Sequence, residues 1–282
     1  MTLRIIADAG SSKTDWSLTD GTGTGTKRFA TPGLNALLAE VHEVEASLRG
    51  VAEHLPEGSD VMEINYYGAG CATPAICSKM RSALSAALRC GNVNVESDLL
   101  GAARSLLGRE RGIACILGTG SNSCLYDGKE IVENIPSMGY ILGDEGSGAA
   151  LGKRLVADAF KRRLPEAVTE DFLREFDLDL AEILTRVYRT PAPNKFLASL
   201  APFIHRNLGN PYIYAMVRDE FRNFFVRNVS AYAGARKLPV SFTGSVAFHF
   251  ADVIREAGEE LGIKVGKIAA QPLEGLIRYH NL

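Results

Sequence analysis

Apolar and polar positions alternate in short runs near the start of the chain, with Leu3 to Ala7 and Trp16 to Leu18 reading as strands on either side of Asp8-Ala9-Gly10-Ser11-Ser12-Lys13-Thr14-Asp15. Thr26 to Ala30 continues as a third strand. The pattern then lengthens to helical spacing, with Leu37, Leu38, Val41, Val44, Leu48 and Val51 recurring behind Asn35. Val61 to Tyr67 is a strand, Thr73-Pro74 opens a helix running to Leu88, Asn92 to Glu96 is a strand, and Leu99 to Leu107 is a helix. At Ile113 the pattern restarts: Ile113 to Leu117, Ser123 to Tyr126 and Lys129 to Glu133 are strands, and Ala149 to Lys161 is a helix. Residues 166–236 are helical in pattern, broken at Pro191, Pro193 and Gly209-Asn210-Pro211. Pro239 to Phe242 is a strand, Ala247 to Leu261 a helix, Lys264 to Ile268 a short strand and Pro272 to His280 a closing helix.

Strand, small-residue turn, strand, turn, strand and helix thus occur twice, which predicts two similar α/β domains from an internal duplication. The expected division is 1–107 and 108–282, with a helical insertion over about 150–236 in the second domain. A length of 282 residues suits two compact units sharing a ligand cleft. Phe221, Phe224, Phe225 and Tyr232 share a helical face and are expected in the core.

Charge narrows the partners. The chain carries 31 basic and 33 acidic residues, so no general attraction draws it to nucleic acid or an acidic membrane. A small molecule is the expected partner. Five cysteines, Cys71, Cys77, Cys90, Cys115 and Cys124, contain no C-x-x-C pair and read as reduced core thiols. The N-terminus enters a strand without a signal-like apolar stretch, and no apolar run approaches membrane length, so a cytoplasmic protein is expected.

The candidate chemistry lies in the turns. Gly10, Ser11 and Ser12 let the backbone turn tightly and offer N–H groups to an anion, and the following strand distinguishes this hairpin from a Walker loop. Asp8 stands where a carboxylate oxygen can hold Mg²⁺ directly or through water; the alternative is an ordinary polar hairpin. Gly118-Thr119-Gly120-Ser121-Asn122 is a second phosphate-sized turn, without a carboxylate equivalent to Asp8. Gly21-Thr22-Gly23-Thr24-Gly25 has dinucleotide-like glycine spacing but leads into a strand, and so reads as a turn. Asp98 stands at a strand's C-terminal end, where α/β sheets place their chemistry; Ser97 or Asp98 equally suits a helix cap, as Asn35 does for the first helix. The helix behind Asp144 to Gly148 has an N-terminus suited to an anion or to capping by its own acids. Gly244-Ser245 makes a turn with room for a flat base or ribose.

Taken in order, Asp8-Ala9-Gly10-Ser11-Ser12-Lys13-Thr14, Ser97-Asp98, Leu117-Gly118-Thr119-Gly120-Ser121-Asn122, Leu142-Gly143-Asp144-Glu145-Gly146-Ser147 and Thr243-Gly244-Ser245-Val246 resemble the BadF/BadG/BcrA/BcrD-type ATPase family and its N-acetylglucosamine kinase members. The resemblance implies a duplicated two-domain actin/hexokinase-like (ribonuclease H-like) fold with Mg·ATP in a cleft between the domains. It implies an ATP-dependent amino-sugar kinase acting on the 6-hydroxyl of N-acetylglucosamine or N-acetylmuramic acid, with Asp98 as the base. It assigns phosphate contacts to Gly10, Ser11, Ser12, Thr119 and Ser121, with Lys13, Thr14, Gly118 and Gly120 in the same turns, and a base contact to Gly244 and Ser245. Asn35 and Asp144 match sugar-binding positions, and Ser137 and Gly139 lie in the segment lining the sugar site of the relatives. That segment departs from the relatives' pattern: Ser137-Met138-Gly139 stands where Gly-Trp-Gly is common. Relatives often pair, so a homodimer is expected. Two other readings accompany this one: an ATPase activating a partner redox enzyme, in which Cys115 and Cys124 would matter, and a non-catalytic sugar-sensing protein.

Overall fold

The computed structural model describes residues 2–20, 26–37, 39 and 41–281. The turn expected over 21–25 and the Leu38 position of the first helix lie outside the described residues. The chain divides into two units, the first built from Met1–Arg109, Gly128–Glu130 and Gln271–Leu282, the second from Glu110–Asp127 and Ile131–Ala270.

In the first unit, β1 (Thr2–Ala9), β2 (Lys13–Thr19) and β3 (Thr26–Pro32) form an antiparallel meander, and β4 (Asp60–Gly68) and β5 (Val93–Ser97) extend it in parallel from the β1 side. The resulting order is β3-β2-β1-β4-β5. β1 is the central strand, and its alternation sends side chains to two covered faces. Ile5 and Ala7 join Trp16, Ile64, Leu48 and Leu84 in a core with α1 (Val41–Ala52) and α2 (Pro74–Leu88). Ile6 turns the other way, to Tyr67, Leu273, Leu276 and Ile277. On that face lies α3 (Asp98–Leu107).

The second unit repeats the topology with β6 (Gly112–Leu117), β7 (Ser121–Tyr126), β8 (Ile131–Glu133), β9 (Val240–Thr243) and β10 (Val265–Ala269), ordered β10-β9-β6-β7-β8. β6, β7 and β8 are antiparallel, while β9 and β10 add in parallel. The duplication read from the sequence is therefore present strand for strand. Its helices are α4 (Gly139–Leu142), α5 (Gly148–Phe160), α6 (Glu166–Phe176), α7 (Leu180–Tyr188), α8 (Pro193–Ala198), α9 (Ala201–Arg206), α10 (Pro211–Arg227), α11 (Ser245–His249) and α12 (Ala251–Glu260). Phe221, Phe224, Phe225 and Tyr232 are all buried in its core, as expected. No helix among the described residues is long and apolar enough to cross a membrane.

Two helices and one grouping depart from the sequence reading in ways that bear on the site. The first helix begins at Val41, because Asn35 to Leu37 form a turn that serves the β1–β2 hairpin instead. The helix expected over 247–261 is two helices, broken at Phe250, whose backbone leaves the helical region (φ −103°, ψ 23°) while its ring is buried against Phe221 at 5.9 Å. The closing helix α13 (Leu273–Asn281), grouped by sequence with the second domain, packs on α3 and β1 of the first unit. It is held there by Ser105 Oγ donating to the Pro272 carbonyl at 2.8 Å and by Tyr67 Oη within 2.8 Å of His280 Nε2.

Candidate functional site

The first unit brings two carboxylates to one edge. β1, β4 and β5 run parallel, so their C-terminal ends coincide, and the register sets Ala9 opposite Gly68 and Gly68 opposite Ser97. Asp8 stands one residue before the end of β1, and Asp98 opens α3 directly after β5. Two strand spacings separate their backbones, about 10 Å. Ser97 is the helix cap, its Oγ accepting from the Leu100 N–H at 3.2 Å, and Asp98 Oδ1 accepts from the Leu99 N–H at 2.9 Å. A carboxylate has about four acceptor positions, so this bond leaves Asp98 able to take a proton.

Burial pushes both acids upward. The Asp8 carboxyl is raised to about 7, first by desolvation and then by the negative charges of Asp98 and Asp15, with Lys13 opposing. Desolvation raises Asp98 as well, against the stabilising Leu99 N–H. Lys13 offers Asp8 little relief, since its ammonium sits 2.8 Å from Asp15 Oδ1. Between the acid-bearing strands lies Tyr66, a residue that the sequence reading took only as part of a strand. Its hydroxyl is buried without a hydrogen-bond partner, and burial together with the charges of Cys71, Asp8 and Asp98 keeps the phenol protonated. Strand alternation marks it as buried but carries no signal that its hydroxyl is unpaired.

The β1–β2 turn is shaped by its own backbone and by a neighbour. The Gly10 N–H donates to the Lys13 carbonyl at 2.9 Å, the Gly33 N–H to the Ser12 carbonyl at 3.2 Å and the Leu34 N–H to the Gly10 carbonyl at 3.2 Å. Gly33 approaches so closely that a Cβ there would lie 2.4 Å from the Ser12 carbonyl carbon, which is why only glycine fits. Asn35 follows and donates from Nδ2 to Ser11 Oγ at 3.4 Å, while its Oδ1 accepts from the Leu37 N–H. Asn35 and Ser11 are thus brought together, and Asn35 does not cap α1, contrary to that alternative. Thr14 is buried with its hydroxyl directed at the Pro32 carbonyl, reinforcing the β2–β3 pair.

In the second unit the Gly118–Ser121 turn is held from several sides. Its ends close through the Gly118 N–H donating to the Gly120 carbonyl at 2.9 Å. The first two amides of α5 donate into it, Gly148 to the Gly118 carbonyl at 2.8 Å and Ala149 to the Thr119 carbonyl at 3.1 Å. Ala150 donates to Ser147 Oγ and Leu151 to the Ser147 carbonyl. All four N-terminal amides of α5 are therefore used, which removes the anion-binding role considered for this helix end. What remains for an anion is the turn itself: among the described residues the Thr119 and Gly120 N–H groups have no protein acceptor.

The Ser137–Asp144 segment closes on itself, the Asp144 N–H donating to the Ser137 carbonyl at 2.9 Å, with Gly139 (φ +70°) opening α4 and Met138, Ile141 and Leu142 exposed. Asp144 is buried and accepts on Oδ1 from the Ser121 N–H at 3.3 Å. Gly244, at the end of β9, donates to the Ala269 carbonyl at 3.1 Å, and Ser245 is exposed at the start of α11. Cys115 and Cys124 lie inside the second unit's sheet, fully buried, with burial raising both thiols, Cys124 to about 12. Thiols so placed pack the core and are not presented to a cluster. No group of three or more His, Cys, Asp or Glu side chains among the described residues is arranged to hold a metal.

No family model matches the chain. No curated protein matches it either. Among solved structures, it is similar to a proposed N-acetylglucosamine kinase from Porphyromonas gingivalis, with 43% identity, 98% of each chain covered and a TM-score of 0.93. A proposed N-acetylglucosamine kinase from Chromobacterium violaceum matches with 19% identity, 98% of each chain and a TM-score of 0.79. A ROK family glucokinase from Streptomyces griseus, solved with glucose and AMPPNP, matches with 16% identity over 98% of this chain and 97% of that one, at a TM-score of 0.53. The last two speak for the fold alone, which is the two-domain actin/hexokinase-like α/β fold that the sequence motifs resemble.

Proposed function

We propose that this chain, which belongs to the N-acetylglucosamine kinase-like branch of the BadF/BadG-type ATPase family, is an ATP-dependent kinase that phosphorylates the 6-hydroxyl of an amino sugar. The observation that carries the reading is the pair of carboxylates, Asp8 and Asp98, at one parallel strand edge, both raised by burial and Asp8 also by the negative charges of Asp98 and Asp15. A raised carboxyl pKa makes Asp98 a better base for a hydroxyl proton than an exposed aspartate. In the proposed step the sugar oxygen forms a bond to the γ-phosphorus, its proton passes to Asp98, and the bond to the bridging oxygen breaks as ADP leaves. Phosphoryl transfer of this kind needs positioning and charge stabilisation rather than a covalent enzyme intermediate.

The chain's own residues then divide the work. Ser11 and Ser12 in the first unit's turn, and Thr119 and Gly120 in the second unit's, serve phosphate oxygens, whereas the Gly10 N–H is taken by the Lys13 carbonyl and shapes its turn. Gly244 and Ser245 serve the nucleotide base, and Asn35, Ser137 and Gly139 the sugar. Asp8 fits Mg²⁺: its carboxyl lies in an excess of negative charge that a cation relieves, and magnesium is commonly held by one or two carboxylates with water and phosphate making up the rest. When bound, Mg²⁺ supplies charge neutralisation on the phosphates. The reading includes a cytoplasmic homodimer, checked by light scattering at two protein concentrations.

The test is to incubate the purified protein with Mg·ATP and a panel of amino sugars, and to follow phosphosugar by mass. N-acetylglucosamine 6-phosphate or N-acetylmuramic acid 6-phosphate is the expected product. ATP turnover that no sugar stimulates would overturn the kinase reading in favour of an ATPase, and sugar binding without ATP consumption would favour a sensor.

A further inference from the structure

Of the five cysteines, Cys77 alone is not buried, and it lies beside one that is. Residues 69–73 link β4 to α2, and Thr73 caps that helix, its Oγ1 accepting from the Ile76 N–H at 3.4 Å. The first turn of α2 thereby returns to the link: the Cys77 N–H donates to the Thr73 carbonyl at 3.0 Å, and Cys77 Sγ donates to the Cys71 carbonyl at 3.6 Å. The Cys71 Sγ lies near Gly68, where a Cβ would approach it to 3.0 Å. A hydrogen bond joins the two cysteine side chains, and burial first, then the like charge of Cys77, pushes the Cys71 thiol up to about 12. The same link braces Asn35. The Ala69 N–H donates to the Ala9 carbonyl at 2.8 Å, the Ala69 carbonyl accepts from the Ala36 N–H at 2.9 Å, and a Cβ on Gly70 would lie 2.2 Å from Asn35 Oδ1.

We propose that Cys71 and Cys77 are a redox-sensitive pair, closed to a disulfide by hydrogen peroxide, and that closure weakens sugar binding through Asn35. The second half rests on the kinase reading above, which gives Asn35 to the sugar. Exposure sets the order of events. Cys77 is half-buried and within reach of peroxide, whereas Cys71 is 4% exposed and keeps its proton. The Cys77 sulfur therefore attacks first: it bonds to one peroxide oxygen, the O–O bond breaks, and the departing hydroxide leaves with the Cys77 proton as water, giving a sulfenic acid. The Cys71 sulfur then bonds to the Cys77 sulfur, the S–O bond breaks, and the hydroxyl leaves with the Cys71 proton as a second water. Two thiols are oxidised and one peroxide is reduced. A disulfide is only about 2.05 Å long, so closure draws Cys71 and the first turn of α2 together. Gly70 precedes Cys71 directly and has no spare room against Asn35, so the shift is passed to the Asn35 side chain. The other thiols lack this arrangement. Cys115 and Cys124 are wholly buried in their sheet, and the buried Cys90 thiol donates to the Asn92 carbonyl at 3.4 Å.

The experiment reads the bond and its effect separately. Reduced wild-type protein is treated with hydrogen peroxide, denatured, alkylated with N-ethylmaleimide and cut with trypsin, which releases residues 50–79 with these two cysteines and no other. The expected result is that this peptide escapes alkylation and loses about 2 Da, reversibly with dithiothreitol, while the peptide over 112–129, carrying Cys115 and Cys124, is alkylated in full. N-acetylglucosamine and N-acetylmuramic acid are titrated by calorimetry into both forms. Whichever sugar the reduced protein binds should have a dissociation constant at least about fivefold higher in the oxidised protein, restored by dithiothreitol, and peroxide should leave the affinity of Cys77→Ser unchanged. Two alkylated thiols in 50–79 after peroxide, or a sulfinic acid on Cys77 in place of the disulfide, overturn the proposal. So does a disulfide that leaves sugar affinity unchanged, and each of these results leaves the kinase reading standing. A reduced protein that binds neither sugar overturns the kinase reading and with it the effect on sugar, while the peptide mass still decides the disulfide.

Discussion

Replacing Gly33 with alanine should damage the β1–β2 turn while leaving every proposed site side chain chemically unchanged. The added Cβ would lie 2.4 Å from the Ser12 carbonyl carbon, 2.5 Å from the Lys13 nitrogen and 2.5 Å from the Ser11 carbonyl carbon. All three are backbone atoms, so no side chain can swing aside. Ordinary contact begins near 3.4 Å, and the turn must therefore retreat by about 1 Å, or β3 must give way by as much. Overpacking of this kind costs roughly 1–3 kcal/mol. A displacement of about 1 Å in a positioning element can cost on the order of 10²-fold in rate. The expected outcome is a kcat/KM for ATP down by 10- to 100-fold or so, with the melting temperature of the first unit lowered by several degrees. Gly50→Ala is the control: it stands in α1, where a Cβ meets nothing within 4 Å, and alanine should stabilise the helix by about 0.5–1 kcal/mol with no kinetic effect. Wild-type kinetics in Gly33→Ala would refute the argument that this turn must keep its position for function.

The other predictions concern the acids and the closing helix. Asp98→Asn should lower kcat by about 10² to 10⁴ while Mg·ADP binding stays near wild type, measured by steady-state kinetics and calorimetry. Asp8→Asn should raise the Mg²⁺ concentration giving half-maximal rate by at least about tenfold, the amide being a weaker ligand for a hard cation. His280 on α13 has its pKa lowered to about 4, first by desolvation, with Glu63 opposing and the Arg104 and Arg4 cations adding to the fall. Its folded value lies below its unfolded one, so the unfolded chain binds the extra proton between about 6.5 and 4, and stability present above 6.5 is lost as pH falls through that window. The full shift would correspond to about 3 kcal/mol, and partial exposure reduces this to roughly 1–2 kcal/mol. His280→Gln should show a correspondingly smaller loss of denaturation midpoint between pH 6.5 and 4 than the wild type does.

Much of the fold was legible because strand alternation and small-residue turns are local. The two meanders at Leu3 and Ile113 are spelled by periodicity alone, and their recurrence was enough to read a duplication that the two strand orders repeat. What escaped depends on contacts between distant residues. Asn35 reads as a cap because asparagine before an amphipathic run usually is one, and only the fold brings Ser11 within 3.4 Å of its amide. The closing helix carries the same apolar spacing whichever unit it joins, and the bond from Ser105 to the Pro272 carbonyl, not its own sequence, settles the matter. The break at Phe250 has no proline or glycine to announce it; burial of the ring prevails over helix propensity. In the candidate site, Asp8 and Asp98 were visible as acids at strand ends, whereas Gly33 and the unpaired Tyr66 hydroxyl were not, since neither proximity to a backbone nor a missing partner leaves a mark on composition.

Sugar phosphorylation itself decides the central claim most directly. Purified protein given Mg·ATP and N-acetylglucosamine or N-acetylmuramic acid should yield one phosphosugar per ATP consumed, phosphorylated at the 6-oxygen by mass and phosphorus NMR, and Asp98→Asn should form it at least about a hundredfold more slowly. ATP consumption independent of every sugar offered, or an unchanged rate in Asp98→Asn, would contradict the account.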